Sequence, residues 1–315
     1  MHGKPGNGHI LVVRLGALGD IIHTLPAVAS LKHSHPGWRL SWAVESKWMP
    51  LLEGNSFVDR LVPVRRESLT AILASRRELR LERYDFAVDF QGLLKSALVA
   101  SMSHPGRIFG FHQSQTRERI AGLFYSDKTV SSSIHVVDRN LDLAASAGAA
   151  SALKVFPLPA GRPEGDLPAG EFVLASPLAG WGSKQWPIEH YGVLAGRIRK
   201  ELGMTLVLNG PPGSGFPYIS GLPGLIDATR RAAAVIGVDS GPMHIAAALG
   251  KPGVAIFGPT DPARNGPYGD SIRILRSTEA ATTYKRSGDI SGSMRSISPD
   301  AVFEALKTVL GKCLV

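Results

Sequence analysis

Cysteine is nearly absent: one thiol, Cys313, stands near the end of the 315 residues, which excludes an intramolecular disulfide framework and a Cys-ligated metal site. A reducing cytosol fits that usage. Long apolar runs are missing as well. The stretch Met1–His9 is polar and Gly-rich, and Ile10–Val13 after it is far too short for a signal h-region or a bilayer span, so any membrane contact is expected to be peripheral. Acidic side chains are in short supply, 26 against 35 Lys and Arg, and the formal charge of +9 points to polyanionic partners: nucleic acid, phosphorylated sugars or an anionic lipid surface. Nucleic acid is set aside because neither stacking aromatics nor a recognition-helix pattern accompanies the basic residues. No D-x-D pair, H-E-x-x-H or other metal-ligand spacing occurs, and the full G-x-G-x-x-G dinucleotide fingerprint is missing.

What is present is an alternation. Short β-branched runs recur at Ile10–Val13, Leu40–Val44, Leu61–Val64, Phe86–Phe90 and Ile108–Phe111, separated by helical stretches at Thr24–His33, Glu67–Glu82, Leu93–Met102 and His135–Ala147. The runs lack strict alternation of apolar and polar residues, as buried parallel strands do, so the pattern reads as βαβ units. Pro26 fits the first turn of a helix capped by Thr24; a start at Asp20 with a kink is the alternative. Composition turns to Pro, Gly and polar residues between Pro157 and Pro168, a linker, after which strands restart near Phe172–Ala175, Thr205–Leu208, Val235–Val238, Val254–Phe257 and Ile272–Leu275. Helices are expected near Ile188–Leu202, Pro242–Leu249 and Pro299–Leu310. With 44% hydrophobic residues, the chain has material for two α/β domains, 1–160 and 161–315.

Chemistry-bearing residues gather where strands give way to helices. In Arg14-Leu-Gly-Ala-Leu-Gly-Asp20, Gly16 and Gly19 allow a tight turn and a close backbone approach, and Asp20 stands at the lip with its carboxylate free. The plain reading is a Gly turn with an aspartate cap; the functional one is a general base for a sugar hydroxyl. In Asp239-Ser-Gly-Pro-Met-His244, Ser240 caps a helix with Pro242 in its first turn, leaving N–H groups and the positive dipole end for a diphosphate, with His244 close by. The plain alternative is a capped helix carrying a half-buried histidine. A serine hydrolase is disfavoured, because the nucleophile elbow needs glycine two positions before the serine and Val238 stands there. Lys184, ahead of the Ile188 helix, is placed to meet a leaving phosphate, and Gly258-Pro-Thr-Asp-Pro262 lines the same strand edge. Among the basic residues, Arg76–Arg83 read as a solvated helix face with Glu78 and Glu82 as i,i+4 partners. Arg65, Arg66, Lys95 and Arg117, near strand ends, are the candidates for holding an acidic acceptor.

The segments Leu15–Ala27, Trp42-Ala-Val-Glu45, Asp89-Phe-Gln-Gly-Leu-Leu-Lys-Ser96, Thr116-Arg-Glu118, Lys184-Gln-Trp-Pro187, Asp239–His244 and Gly258–Pro262, in this order over nearly the whole chain, resemble the lipopolysaccharide heptosyltransferases of glycosyltransferase family 9. The Asp89 and Thr116 segments look most like the type I enzymes. The resemblance implies the GT-B fold, two Rossmann-like domains with parallel sheets facing a central cleft, the first binding acceptor and the second the nucleotide sugar. It implies inverting transfer of L-glycero-D-manno-heptose from ADP-heptose to the Kdo of Kdo2-lipid A, without cofactor or metal, at the cytoplasmic face of the inner membrane. Asp20 then matches the catalytic base and Lys184 the residue facing the departing phosphates. Asp239, Ser240, Gly241 and His244 match the donor turn, and Lys95 and Arg117 the acceptor side, joined there by Gly19, Arg65 and Arg66. The helix at Pro299–Leu310 is expected to cross back onto the first domain. One departure stands out: between Leu208 and Val235 the segment is too short and too rich in Gly and Pro to hold all of the helix, strand and helix usual there. A family 9 enzyme using another acceptor or nucleotide sugar, and a binding module without catalysis, therefore stay open.

Overall fold

The computed structural model describes residues 8–283 and 285–311; Cys313 lies outside them. The chain divides into two compact units between Leu158 and Pro159, close to the boundary expected from the linker.

The first unit is a parallel sheet of β1 (His9–Val13), β2 (Arg39–Glu45), β3 (Arg60–Val64), β4 (Phe86–Asp89), β5 (Arg107–Phe111) and β6 (Asp127–Thr129), in the order β3-β2-β1-β4-β5-β6. Its helices are α1 (Leu18–Ile22), α2 (Leu25–Ser34), α3 (Leu69–Leu79), α4 (Leu94–Met102) and α5 (Val136–Ser146). The second unit repeats the plan. Its strands are β7 (Phe172–Ser176), β8 (Thr205–Gly210), β9 (Tyr218–Ile219), β10 (Ala234–Val238), β11 (Gly253–Phe257) and β12 (Ile272–Arg276), in the order β12-β11-β10-β7-β8-β9. Around them lie α6 (Ile188–Leu202), α7 (Leu222–Arg231), α8 (Gly241–Ala248), α9 (Pro262–Asn265), α10 (Gly292–Arg295) and α11 (Pro299–Gly311). In both sheets the order reverses beside the first strand, between β1 and β4 and between β7 and β10. Loops leaving such a pair diverge, and the crevice they open at the carboxyl ends is where ligands bind in open α/β sheets.

The central strands are buried throughout, β4, β7, β10 and β11 at every position, because parallel strands covered by helices on both faces have no solvated side. Both readings of the Pro26 region contribute. A short helix begins at Leu18 and contains Asp20, while α2 starts anew after Thr24 with Pro26 in its first turn. The Thr24 hydroxyl does not cap α2 but donates to the Asp20 carbonyl at 2.8 Å.

One expectation needs correction here. Glu78 and Glu82 do not serve the arginines of their own segment: Glu78 pairs with Arg60 (2.6 Å) and Glu82 with Arg39 (2.8 Å) and Arg60 (3.3 Å), partners across the fold that win over helical neighbours. The Leu208–Val235 segment holds a two-residue strand, β9, and a ten-residue helix, α7, but no helix ahead of β9, so it does not hold all three elements. The C-terminal helix is part of the second unit's core. Val302, Phe303, Ala305, Leu306 and Val309 of α11 join Leu194 and Ile198 of α6 and Val254 and Ile256 of β11 in the second unit's own core. Among the described residues no helix is long and apolar enough to cross a membrane.

Candidate active site

At the carboxyl edge of the first sheet, Asp20 is not free. One carboxylate oxygen lies 2.7 Å from the Arg14 guanidinium and the other accepts the Ala17 N–H at 3.2 Å. Arg14, the residue directly after β1, has a side chain only 7% exposed, against 47% for Asp20, and also donates to the Phe90 carbonyl beyond β4. A buried, doubly engaged guanidinium thus aims a half-exposed carboxylate, across the switch point of the sheet. Sequence reasoning missed Arg14, which at the end of an apolar strand reads as its polar boundary.

The neighbouring loops are tied to this pair. The Leu15 N–H donates to the Gln91 side chain at 3.0 Å, and the Leu15 carbonyl accepts from the Glu45 N–H at 3.1 Å. Gly16 is required by a close approach: a Cβ there would lie 2.6 Å from the Trp48 indole nitrogen. Gly92 adopts φ +66°, the left-handed turn after β4 that favours glycine. Asp89, fully buried, accepts from the Tyr125 and Ser96 hydroxyls, both at 2.7 Å, and from the Gln91 N–H at 2.8 Å. Burial pushes its carboxyl above the usual range, opposed by those three hydrogen bonds and the charge of Arg14. The Asp89–Ser96 segment is therefore largely a fastener that fixes the loops beside Asp20.

The four acceptor candidates lie on this same edge. Arg66 forms an ion pair with Glu45, and Arg65, Arg66, Lys47 and Glu67 line an open pocket of about 480 Å³ at the mouth of β2 and β3. Arg65 and Arg117 are exposed and Lys95 is partly exposed. Glu118 brings the last two near one another, because its carboxylate accepts the Leu94 N–H at 2.7 Å, joining the loop that carries Arg117 to the start of the helix that carries Lys95. Gly19 is helical, its carbonyl accepting from the His23 N–H.

At the carboxyl edge of the second sheet, Asp239 is the hub. One of its oxygens accepts both from Lys184 Nζ and from the Thr260 hydroxyl, each at 2.7 Å, so the three loops following β7, β10 and β11 converge. Lys184 also stands 4.3 Å from the Trp181 ring centroid. Its loop is anchored by Trp186, a buried side chain whose indole N–H donates to the Ile297 carbonyl at 2.9 Å. Removing such a side chain from water contributes about 4–6 kcal/mol at ~25 cal/mol per Å². Ser240 is the N-cap of α8, yet its hydroxyl makes no cap hydrogen bond and has no hydrogen-bond partner among the described residues. Gly241 and Pro242 open the helix, leaving the first N–H and the positive dipole end unused by the helix itself. His244 is buried on the same helix. Beside Pro242 lies a pocket of about 270 Å³ lined by Ser176, Leu178, Asn209, Pro211, Ser220 and Leu222 among others.

The sequence profile of glycosyltransferase family 9, described as heptosyltransferase, matches residues 72–214 and 220–294. The chain belongs to that family. Lipopolysaccharide heptosyltransferase 1 of Salmonella typhimurium is 32% identical over 309 residues, covering 86% of this chain and 94% of that protein. The protein of the same name from Escherichia coli K12 is 30% identical over 306 residues, covering 85% and 93%. The solved E. coli heptosyltransferase WaaC with ADP superposes with a TM-score of 0.77 at 27% identity, over 96% of this chain and 99% of that one. As a family 9 glycosyltransferase, the chain has the α/β GT-B architecture expected from its motifs. The heptosyltransferase motifs fall on two carboxyl edges: Asp20 and the acceptor cations on one, Lys184, Asp239, Ser240, Gly241 and His244 on the other.

Proposed function

We propose that this family 9 glycosyltransferase is a type I heptosyltransferase, moving L-glycero-D-manno-heptose from ADP-heptose to Kdo of Kdo2-lipid A with inversion at the anomeric carbon, at the cytoplasmic face of the inner membrane. The observation that carries the reading is the Lys184–Asp239–Thr260 cluster beside the open end of α8. Asp239 takes up one N–H of Lys184 and leaves the others for a ligand, and the α8 N-terminus adds its first N–H and dipole, so an anion is met by fixed donors.

The work divides between the two units. In the second, Lys184 and the α8 end receive the donor diphosphate and stabilise the charge that grows on it as the glycosidic bond breaks; Ser240 and His244 stand within the same turn, and the nucleoside occupies the neighbouring pocket. In the first, Asp20, aimed by Arg14, takes the proton from the Kdo hydroxyl as its oxygen attacks the anomeric carbon on the face opposite ADP. A single displacement of this kind inverts that centre. Arg65, Arg66, Lys95 and Arg117, with the backbone at Gly19, receive the carboxylates and phosphates of the acceptor.

ADP release with ADP-heptose and Kdo2-lipid A as the pair tests the reading, with other nucleotide sugars and core acceptors run in parallel. Transfer only with another donor would point to a different family 9 activity, which the shortened segment ahead of β9 favours. Binding of ADP-heptose without turnover on any acceptor would refute transfer.

A further inference from the structure

Helix α3 is poorly covered. Of its eleven residues only Ser75 and Leu79 are buried, while Leu69 is 80% and Leu73 60% exposed, with Ile72 exposed beside them. Positions i, i+3 and i+4 share one helical face, so these three side chains form an apolar strip, and Arg76 and Arg77 continue it in the next turn. Both arginines are exposed, and the glutamates nearest in sequence are occupied elsewhere, Glu78 by Arg60 and Glu82 by Arg39 and Arg60. From Arg65 to Arg83 the chain holds six Arg against three Glu.

The helix is also bolted to the acceptor edge. The Ser75 hydroxyl accepts the Arg65 N–H at 2.8 Å and donates to the Arg65 carbonyl at 3.1 Å. Whatever holds α3 therefore holds the Arg65–Arg66 loop as well.

We propose that the Leu69, Ile72 and Leu73 face of α3, with Arg76 and Arg77, is the surface by which the protein docks on an anionic phospholipid bilayer. The apolar side chains enter the headgroup boundary and the guanidiniums engage lipid phosphates, the division of labour found in interfacial helices. Charge complementarity selects this occupant. A stable interface with another protein needs roughly 1,000 Å² of buried surface, far more than three side chains supply, and a second copy on the same face would oppose arginine to arginine. The inference rests on the proposed reading that the acceptor is lipid-linked: a helix bound to the bilayer and fastened to Arg65 would hold the acceptor loop at the height of the sugar.

The test is co-sedimentation of the full chain with vesicles of phosphatidylethanolamine and phosphatidylglycerol, against vesicles of phosphatidylcholine alone. Wild type is expected to bind the anionic vesicles, less so as salt rises. Leu69→Ser/Leu73→Ser and Arg76→Gln/Arg77→Gln are each expected to weaken that binding, the second roughly thirtyfold from the contribution of two basic residues at an anionic surface. Turnover of a soluble, deacylated Kdo acceptor should be unchanged in both, and circular dichroism should show intact folding. Binding that persists in both variants overturns the proposal, as does equal binding to uncharged vesicles. A dimer in analytical ultracentrifugation that Leu69→Ser/Leu73→Ser dissociates also overturns it, in favour of a second copy. Transfer to the soluble acceptor without vesicle binding refutes the docking surface alone; no transfer to any acceptor refutes the function on which it rests.

Discussion

Replacing Asp20 separates a catalytic base from a structural partner of Arg14. The Arg14 side chain is 7% exposed and that of Asp20 47%, with 2.7 Å between guanidinium and carboxylate. A hydrogen bond to a charged group contributes about 1.5–3 kcal/mol, and screening at the half-exposed carboxylate keeps this one near the lower end. Asp20→Ala removes the bond and leaves a buried guanidinium with the Phe90 carbonyl as its acceptor, so the stability cost is about 2–3 kcal/mol. Asp20→Asn keeps an acceptor oxygen in place and is expected to cost about 1 kcal/mol. Turnover should not follow that order. Neither amide nor methyl takes a proton, so both variants are expected to lose about 10²–10⁴-fold in kcat, with the KM for donor little changed. The assay pairs urea unfolding, followed by circular dichroism, with ADP release. If Asp20→Asn keeps most of wild-type turnover while Asp20→Ala loses it, the residue acts by holding Arg14, and its assignment as a base is refuted.

Lys184→Met should lower turnover by about 10²–10³-fold and weaken ADP binding by calorimetry, since it removes a fixed cation beside the α8 end; unchanged ADP affinity and turnover would contradict the donor site. Gly182→Ala would drive a methyl group into the Gly288 carbonyl, at an expected cost of about 1–3 kcal/mol, and should weaken ADP binding by displacing Lys184; a variant as stable and as tight-binding as wild type would count against the tight loop. Asp89 gives a pH signature. Because burial raises its native carboxyl pKa, the folded chain binds more protons than the unfolded one in the window above about pH 4, so this group's contribution is full below that value and is lost as pH rises through the raised range. The stability advantage of wild type over Asp89→Asn, from denaturant titrations at several pH values, should therefore shrink as pH increases; an advantage that grows would place the native pKa below its ordinary value.

Strand positions were legible because burial on both faces demands unbroken β-branched runs, and the helices between them followed from their periodicity. Short elements escaped: β6 and β9 have too few residues to show a period, and α1 is hidden by Gly16 just before it and Gly19 within it. The motif residues themselves could be read at strand ends, since small residues and carboxylates there have few structural explanations. Their partners could not. Arg14 for Asp20 and Thr260 for Asp239 are contacts made by the fold, and for Glu78 and Glu82 the long-range arginines displaced the sequence neighbours that local spacing suggested. Nor does any pattern of charge name a heptose; that part of the reading came from the family resemblance.

Among the described residues the pocket beside Pro242 has no charged side chain in its wall; prolines, glycines, leucines, Ser176, Asn209 and Ser220 make it up, and the Ser220 hydroxyl is already committed to the Asn209 side chain at 2.9 Å. A purine seated there, as proposed for the donor, would be recognised by shape and by few polar handles. Apolar walls of this kind reject a near-isostere by only about 10–200-fold, so base selectivity should be loose, and guanine and adenine sugar nucleotides should compete for the same seat.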